Sequence, residues 1–314
     1  MKIAVLVFPS RRRDNSPIFG EAEQMAAAAR IRGHQVDVLE VTHFTFLFDG
    51  NSTTLYYKDR PFEDPDLVIA WVGMLNGVAE RTAVLQEIEL RGVPVLNKRL
   101  PVIRTRNKFQ TMQILSAVGL PVIKTVMIHD LAGLDLALDQ LGAFPVVAKT
   151  VYGNDGKGVA IFESKRSLLS GLELMLDNNV EAETILLQEF VVTDNKDYRC
   201  FVVGDKVVAQ MERSAPENDF RANLSGGGHG KKVDLPPEVQ QLAIESARCL
   251  DLDIAGVDIL LSDKGPVLCE VNPRPGFKIC KITGVNVADH IIEHAEYRAG
   301  LISEDSNFPM IANA

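Results

Sequence analysis

An unbroken apolar block, Ile3–Phe8, opens the chain, as expected of a strand buried on both faces. The Ala-rich stretch Glu21–Arg32 follows, with Gly33 as its stop, and predicts a helix. Further strand blocks stand at Val36–Val41, Leu67–Val72 and Val93–Leu96, and a helical block at Val78–Leu90 closes at Gly92. Strands alternating with helices predict βαβ units and a parallel sheet. The turn after the first strand reads Phe8-Pro9-Ser10-Arg11 and lacks a GxGxxG fingerprint, so no nicotinamide dinucleotide is assigned to this lobe.

From residue 101 the pattern changes. Phe109, Met112, Leu115 and Val118 recur at helical spacing and stop at Gly119 and Pro121. Asp130 can cap a helix carrying Leu131, Leu134, Leu138 and Leu141. Next come a strand, Val146–Thr150, the loop Gly153-Asn154-Asp155-Gly156-Lys157-Gly158, a strand at Val159–Phe162, a helix at Leu168–Leu176 and a strand at Ile185–Val191. The remainder is richer in hairpins: Tyr198–Val203 with Lys206–Arg213, and Gly256–Leu261 with Val267–Asn272, separated by the helix Val239–Leu250. The pattern divides the chain into an N-terminal α/β domain (1–100), a central α+β subdomain (101–188), a C-terminal subdomain (189–300) and a polar tail (301–314). A cleft is expected between the second and third.

Composition narrows the classes. At 314 residues, 46% hydrophobic and 24% charged, the chain has the make-up of a globular protein of about two domains. Lys+Arg of 33 against Asp+Glu of 42 gives a net charge of −9, which argues against broad nucleic-acid binding but not against a local basic pocket. No apolar run approaches the ~20 residues of a membrane span. Cys200, Cys249, Cys269 and Cys280 show no metal-ligand spacing and read as reduced thiols of a cytoplasmic protein. The six histidines are scattered; His290 and His294 are four apart, but with no third ligand nearby they read as an ordinary helix face.

Three groups carry candidate chemistry. Glu270 and Asn272 share one strand face, and a tight turn brings Asp258 beside them. Two carboxylates and an amide oxygen, with no His or Cys, suit Mg²⁺ shared with nucleotide phosphates. A plain polar hairpin face is the bland alternative; the interleaved Val257, Ile259, Leu268 and Val271 do not give its simple alternation. Lys149 stands inside an apolar strand, where an ammonium requires an anion, and the glycine loop that follows can cradle phosphate through backbone N–H groups. It is not a Walker A sequence. Arg199 and Arg213 fall on adjacent strands of one hairpin and, with Arg221 and Asn223, suggest an anion site.

Taken in order, Lys149, the glycine loop, Gln188-Glu189-Phe190, Asp197-Tyr198-Arg199, Phe220-Arg221-Ala222-Asn223-Leu224, Ala255-Gly256-Val257-Asp258 and Glu270-Val271-Asn272 resemble the ATP-grasp superfamily. The chain most resembles its RimK-type ligases, which add glutamate to the C-terminus of a ribosomal protein. The resemblance implies an ATP-grasp fold with an N-terminal parallel-sheet (pre-ATP-grasp) domain. It implies an ADP-forming carboxylate–amine ligase that works through an acylphosphate. The acceptor would be the carboxylate of a peptide, a protein C-terminus or a small molecule. Glutamate would be the amino-acid donor, and the enzyme a cytoplasmic homo-oligomer, dimer or tetramer. Lys108 and Lys149 would contact the phosphates, under a glycine loop that includes Gly156. Gln188 would belong to the nucleotide site, Glu189 and the backbone around Phe190 would hold the adenine, and Asp197 the ribose. Asp258, Glu270 and Asn272 would ligate two Mg²⁺ ions, with Mn²⁺ as a substitute. Arg199, Arg221 and Asn223 would stabilise the phosphates and the acylphosphate, and Arg213 and Arg274 would face the substrate. RimK ligases carry Tyr where this chain has Phe190, and Ala-Ser-Pro-Gly where it has Pro273-Arg274-Pro275-Gly276; the second change leaves the acceptor open. A glutathione-synthetase-like ligase, a cofactor or carrier-protein glutamate ligase, and a noncatalytic ATP-binding regulator resembling synapsin remain as alternatives.

Overall fold

The computed structural model describes residues 1–8, 10–11, 17–18, 20–50, 52–72, 81–153, 158–177, 184–217 and 219–300. Among the described residues two compact units emerge: one built from Met1–Val72, Arg81–Leu96 and residues 286–300, the other from Asn97–Val285.

In the first unit the apolar blocks form the parallel sheet that their continuity predicts. Lys2–Val7 is flanked by Gln35–Glu40 and Leu67–Trp71, and Val95–Leu96 closes the far edge, all in parallel register. Parallel neighbours need crossover connections, and the helix Gly20–Ile31 supplies the first. Its buried residues are alanines and Met25, and the helix Val287–Arg298, which buries Ile291, Ile292 and Ala295, packs against it. An ionic clasp joins the same pair: Arg32 Nε donates to Glu296 at 3.0 Å and His34 Nε2 lies 2.8 Å from the same carboxylate. An antiparallel sheet, Phe44–Phe48 with Thr53–Tyr57 and Arg60–Pro61, adds a feature that the sequence analysis does not single out.

The second unit contains two antiparallel sheets. In the central sheet the strand order is Thr125–Ile128, Ile185–Glu189, Val146–Thr150, Val159–Phe162. Leu134 and Leu141 of one helix and Leu168 and Leu172 of another share a buried cluster with its residues. The C-terminal sheet has the order His229–Lys232, Lys206–Ser214, Lys196–Val203, Ile254–Ser262, Gly265–Asn272. The helices Pro237–Cys249 and Lys108–Ala117 bury Leu242, Ala243, Met112 and Leu115 against it. Segment 121–124 ties the two sheets together: Leu268 N–H donates to the Pro121 carbonyl (2.8 Å), and Glu189 N–H to the Lys124 carbonyl (3.1 Å). Among the described residues no helix is long and apolar enough to cross a membrane, and all four cysteines are free.

Candidate active site

A cleft lies within the second unit, lined from both of its sheets, the kind of concave place where ligands bind. One face of the C-terminal sheet carries its floor. Along that face Arg213 lies opposite Asp197, Arg199 opposite Asp258, and Asp258 opposite Glu270, while Gly256 lies opposite Asn272. The predicted grouping of Asp258, Glu270 and Asn272 is therefore realised on two adjacent strands. The register slips between Asp258 and Ile259, so Cys269 has no ladder partner. Such a bulge re-aims side chains next to it, and adjacent Cys269 and Glu270 both line the cleft.

The arginines are not free anion receptors in this geometry. Arg213 Nε and Nη2 grip Asp197 at 2.6 and 2.7 Å, and Nη2 reaches Asp258 at 3.0 Å. Arg199 grips Asp258 with Nε and Nη2, the latter at 2.6 Å. Gly256 makes room for this: a Cβ there would sit 2.7 Å from Pro275 Cβ and 3.0 Å from the Arg199 guanidinium. Asp258 and Arg213 are only 3% and 4% exposed, and such depth is tolerated because every charge has a partner. Burial works against ionisation of Asp258, but Arg199 and Arg213 outweigh it and hold its carboxyl below the usual range. Burial pushes Asp197 up, with Arg213 pulling the other way. Arg213 was expected at the substrate and Arg199 at the phosphates; the structure engages both with aspartates. Arg221 has its neighbour Asp219 at 2.8 Å but keeps a part-exposed side chain on the cleft wall, beside Asn223.

The opposite wall is charged differently. Lys149 projects from the central sheet, and its polar contact is the Cys269 thiol at 3.8 Å; among the described residues no carboxylate pairs with it. Lys108, at the start of its helix, donates to the Gly153 carbonyl at 3.1 Å and lies 3.6 Å from Glu270. Burial lowers the Lys108 pKa; the nearby Lys149 and Arg106 lower it further, and Glu270 only partly offsets this. Gly158 closes the glycine loop at φ +72°, where a Cβ would collide with the Thr150 hydroxyl. Gly156 and its neighbours from 154 to 157 lie outside the described residues. Burial pushes the Cys200 thiol up to about 12 and raises that of Cys269, so neither is suited to nucleophilic work.

Glu189 ends its strand with its carboxylate on the Lys124 N–H (3.2 Å), and Phe190 meets Phe220 edge-on at 6.5 Å. Asn272 accepts the Arg274 N–H at 3.0 Å. Arg199, Asn272 and Arg274 are not among the residues that line the cleft.

Family models match both halves of the chain: a RimK PreATP-grasp domain over residues 1–100 and a RimK-like ATP-grasp domain over 105–295. The chain belongs to the RimK-like ATP-grasp family. Within it, a Nitrosococcus oceani protein named "Probable alpha-L-glutamate ligase" is 37% identical over 301 residues, covering 95% of this chain and 96% of that one. Two solved structures share the ATP-grasp fold. The RimK domain protein of Sphaerobacter thermophilus superposes with TM-score 0.69 at 19% identity, covering 93% of this chain and 98% of that one. The ATP-grasp ligase PsnB, solved with a minimal precursor, gives TM-score 0.70 at 20% identity, with the same coverage.

In this ATP-grasp chain the donor set fits a divalent cation. Asp258 and Glu270 are oxygen donors directly opposite each other, Asn272 follows Glu270 by two positions on the same strand, and hard cations take oxygen. Glu270 is the open member, with its side chain 38% exposed; Asp258 would have to share its oxygens with two arginines. Among the described residues no cluster of three His, Cys, Asp or Glu offers a competing site. The nucleotide end fits as well. Gln188 is 3% exposed, and its Oε1 is buried with no hydrogen-bond partner, an acceptor that a ligand N–H would satisfy. Sequence reasoning missed Cys269 and Thr125. Both owe their place to strand register: the bulge for Cys269, and pairing with Gln188 for Thr125.

Proposed function

We propose that this protein is an ATP-dependent, ADP-forming carboxylate–amine ligase that adds an amino acid, glutamate first, to the C-terminal carboxylate of a peptide or protein in the cytoplasm. The observation that carries the reading is Lys149: an ammonium on an apolar strand that lines the cleft, with a thiol and no carboxylate paired to it among the described residues. Polyphosphate is the anion that completes such a site.

In the proposed reaction the terminal phosphoryl group of ATP passes to the acceptor carboxylate, releasing ADP and forming an acylphosphate. The donor amine attacks the acyl carbon, phosphate leaves with the C–O electron pair, and the amine gives up a proton. Phosphoryl transfer is mostly positioning and charge stabilisation. Lys108 and Lys149 hold the phosphates in line. Arg221 and Asn223 reach the transferring group from the opposite wall. The Asp197–Arg213–Asp258–Arg199 quartet keeps the floor rigid. Asp258, Glu270 and Asn272 would hold Mg²⁺, two ions with Mn²⁺ as a substitute, and the metal would neutralise charge on the phosphates. PsnB, a fold relative, was also solved with a precursor peptide, which agrees with a peptide acceptor here.

The test is incubation with ATP, Mg²⁺ and a panel of amino acids and peptides, with product masses recorded. ADP release that requires both an acceptor carboxylate and an amine, with a mass gain of one residue, is the expected result. AMP with pyrophosphate overturns the mechanism, and tight ATP binding without turnover overturns the ligase reading.

A further inference from the structure

Thr125 opens the edge strand of the central sheet and lies directly across from Gln188. Its hydroxyl donates to the Ile123 carbonyl at 2.7 Å. A threonine hydroxyl has one hydrogen, so Oγ1 is left only as an acceptor. Gln188 Nε2 fills that role, donating at 2.8 Å. The relay therefore dictates which way the amide is turned, an assignment that rests on the hydrogen-bond network rather than on amide shape. The NH₂ group faces Thr125, and Oε1, on the other side of the amide, is the buried acceptor without a partner. The origin of the relay is itself anchored, because Ile123 N–H donates to the Leu268 carbonyl of the C-terminal sheet at 3.2 Å. Gln188 and Ile123 line the cleft next to Glu189 and Phe190.

We propose that Thr125 is a positioning residue for base selection: it holds the Gln188 amide so that Oε1 accepts from the 6-amino group of a purine and rejects a 6-oxo purine. The inference rests on the nucleotide reading above and adds the base-selecting device to it. A 6-amino group brings the N–H that Oε1 lacks. A 6-oxo group brings a second acceptor, and two acceptors facing each other in a buried site both go unsatisfied. If the amide turned over, the preference would reverse, because NH₂ would then face the ligand and suit the 6-oxo purine.

The decisive variant is Thr125→Val, which keeps the branched shape and removes the hydroxyl. Dissociation constants of the full chain for ATP and ITP, each with Mg²⁺, are measured by titration calorimetry. The wild type should favour ATP by about tenfold or more, the scale of one buried hydrogen bond made or lost. Thr125→Val should bind ATP more weakly and ITP more tightly, bringing the ratio toward one, and Thr125→Ser should restore the wild-type ratio. If Val is not tolerated at this strand position, Thr125→Ala serves in its place. A folded hydroxyl-free variant with the wild-type ratio, or one that weakens both nucleotides equally, overturns the proposal. A wild type that binds neither nucleotide overturns the nucleotide reading itself.

Discussion

Two groups of charges face each other across the cleft. On the floor, two arginines and two aspartates are balanced, buried and mutually satisfied. On the opposite wall, Lys108 has Glu270 as its nearby carboxylate, and Lys149 makes no ion pair among the described residues. The quartet contains its own counter-ions and serves as framework. Lys149 has no anion among the described residues and is where a ligand must complete the structure. Charge type alone does not separate the roles; closure of the network does.

The largest effect that would test this contrast is on the floor. Arg213→Leu leaves Asp197 and Asp258 buried without their shared cation and should cost about 3–5 kcal/mol of stability, read as a lowered Cm in urea. A stability loss within error would show that the quartet is not framework. Next is Glu270→Gln, which should cut Mg²⁺-dependent ADP release by on the order of a hundredfold while the melting temperature holds, since this side chain is part exposed. Retained turnover would remove Glu270 from the metal site. Lys149→Met should weaken ATP binding by about 10- to 100-fold, the worth of a charge-assisted hydrogen bond, with stability unchanged or raised. A destabilised variant with normal ATP affinity would invert the comparison.

The smallest effect concerns a carboxylate paired as Asp258 is, but to a part-exposed arginine. The side-chain hydrogen bond from Arg32, with help from His34, holds Glu296 below its usual 4.5. A depressed carboxyl pKa gives stability that is present above the unfolded value and lost as pH falls through the folded one. Glu296→Gln should therefore cost about 1 kcal/mol near neutrality, and the gap to wild type should close in acid. A gap that is constant with pH would mean that the clasp contributes packing alone.

The alternation of strands and helices in the first hundred residues was legible because parallel strands are continuous apolar blocks. So was the proximity of Asp258, Glu270 and Asn272, because hairpin strands of known period bring them together. The fate of Arg199 and Arg213 was not. Period assigns a side chain to a face but does not name its neighbour, and here the neighbours across the ladder are aspartates. Thr125 carries no local signal at all; its role comes from pairing with a strand some sixty residues on. Helix Arg99–Arg106 is not among the elements that the apolar pattern predicts; its Pro101 stands in the first turn, where proline is tolerated.

The helix Val287–Arg298 is the last described element in the chain, yet it completes the buried face of the first. During synthesis, residues 1–96 leave the ribosome long before their cover does, whereas the second unit is whole once residue 285 has emerged. Domains tend to fold in the order in which they are translated; here the amino-terminal unit must wait, and the unit made later is the first that can mature.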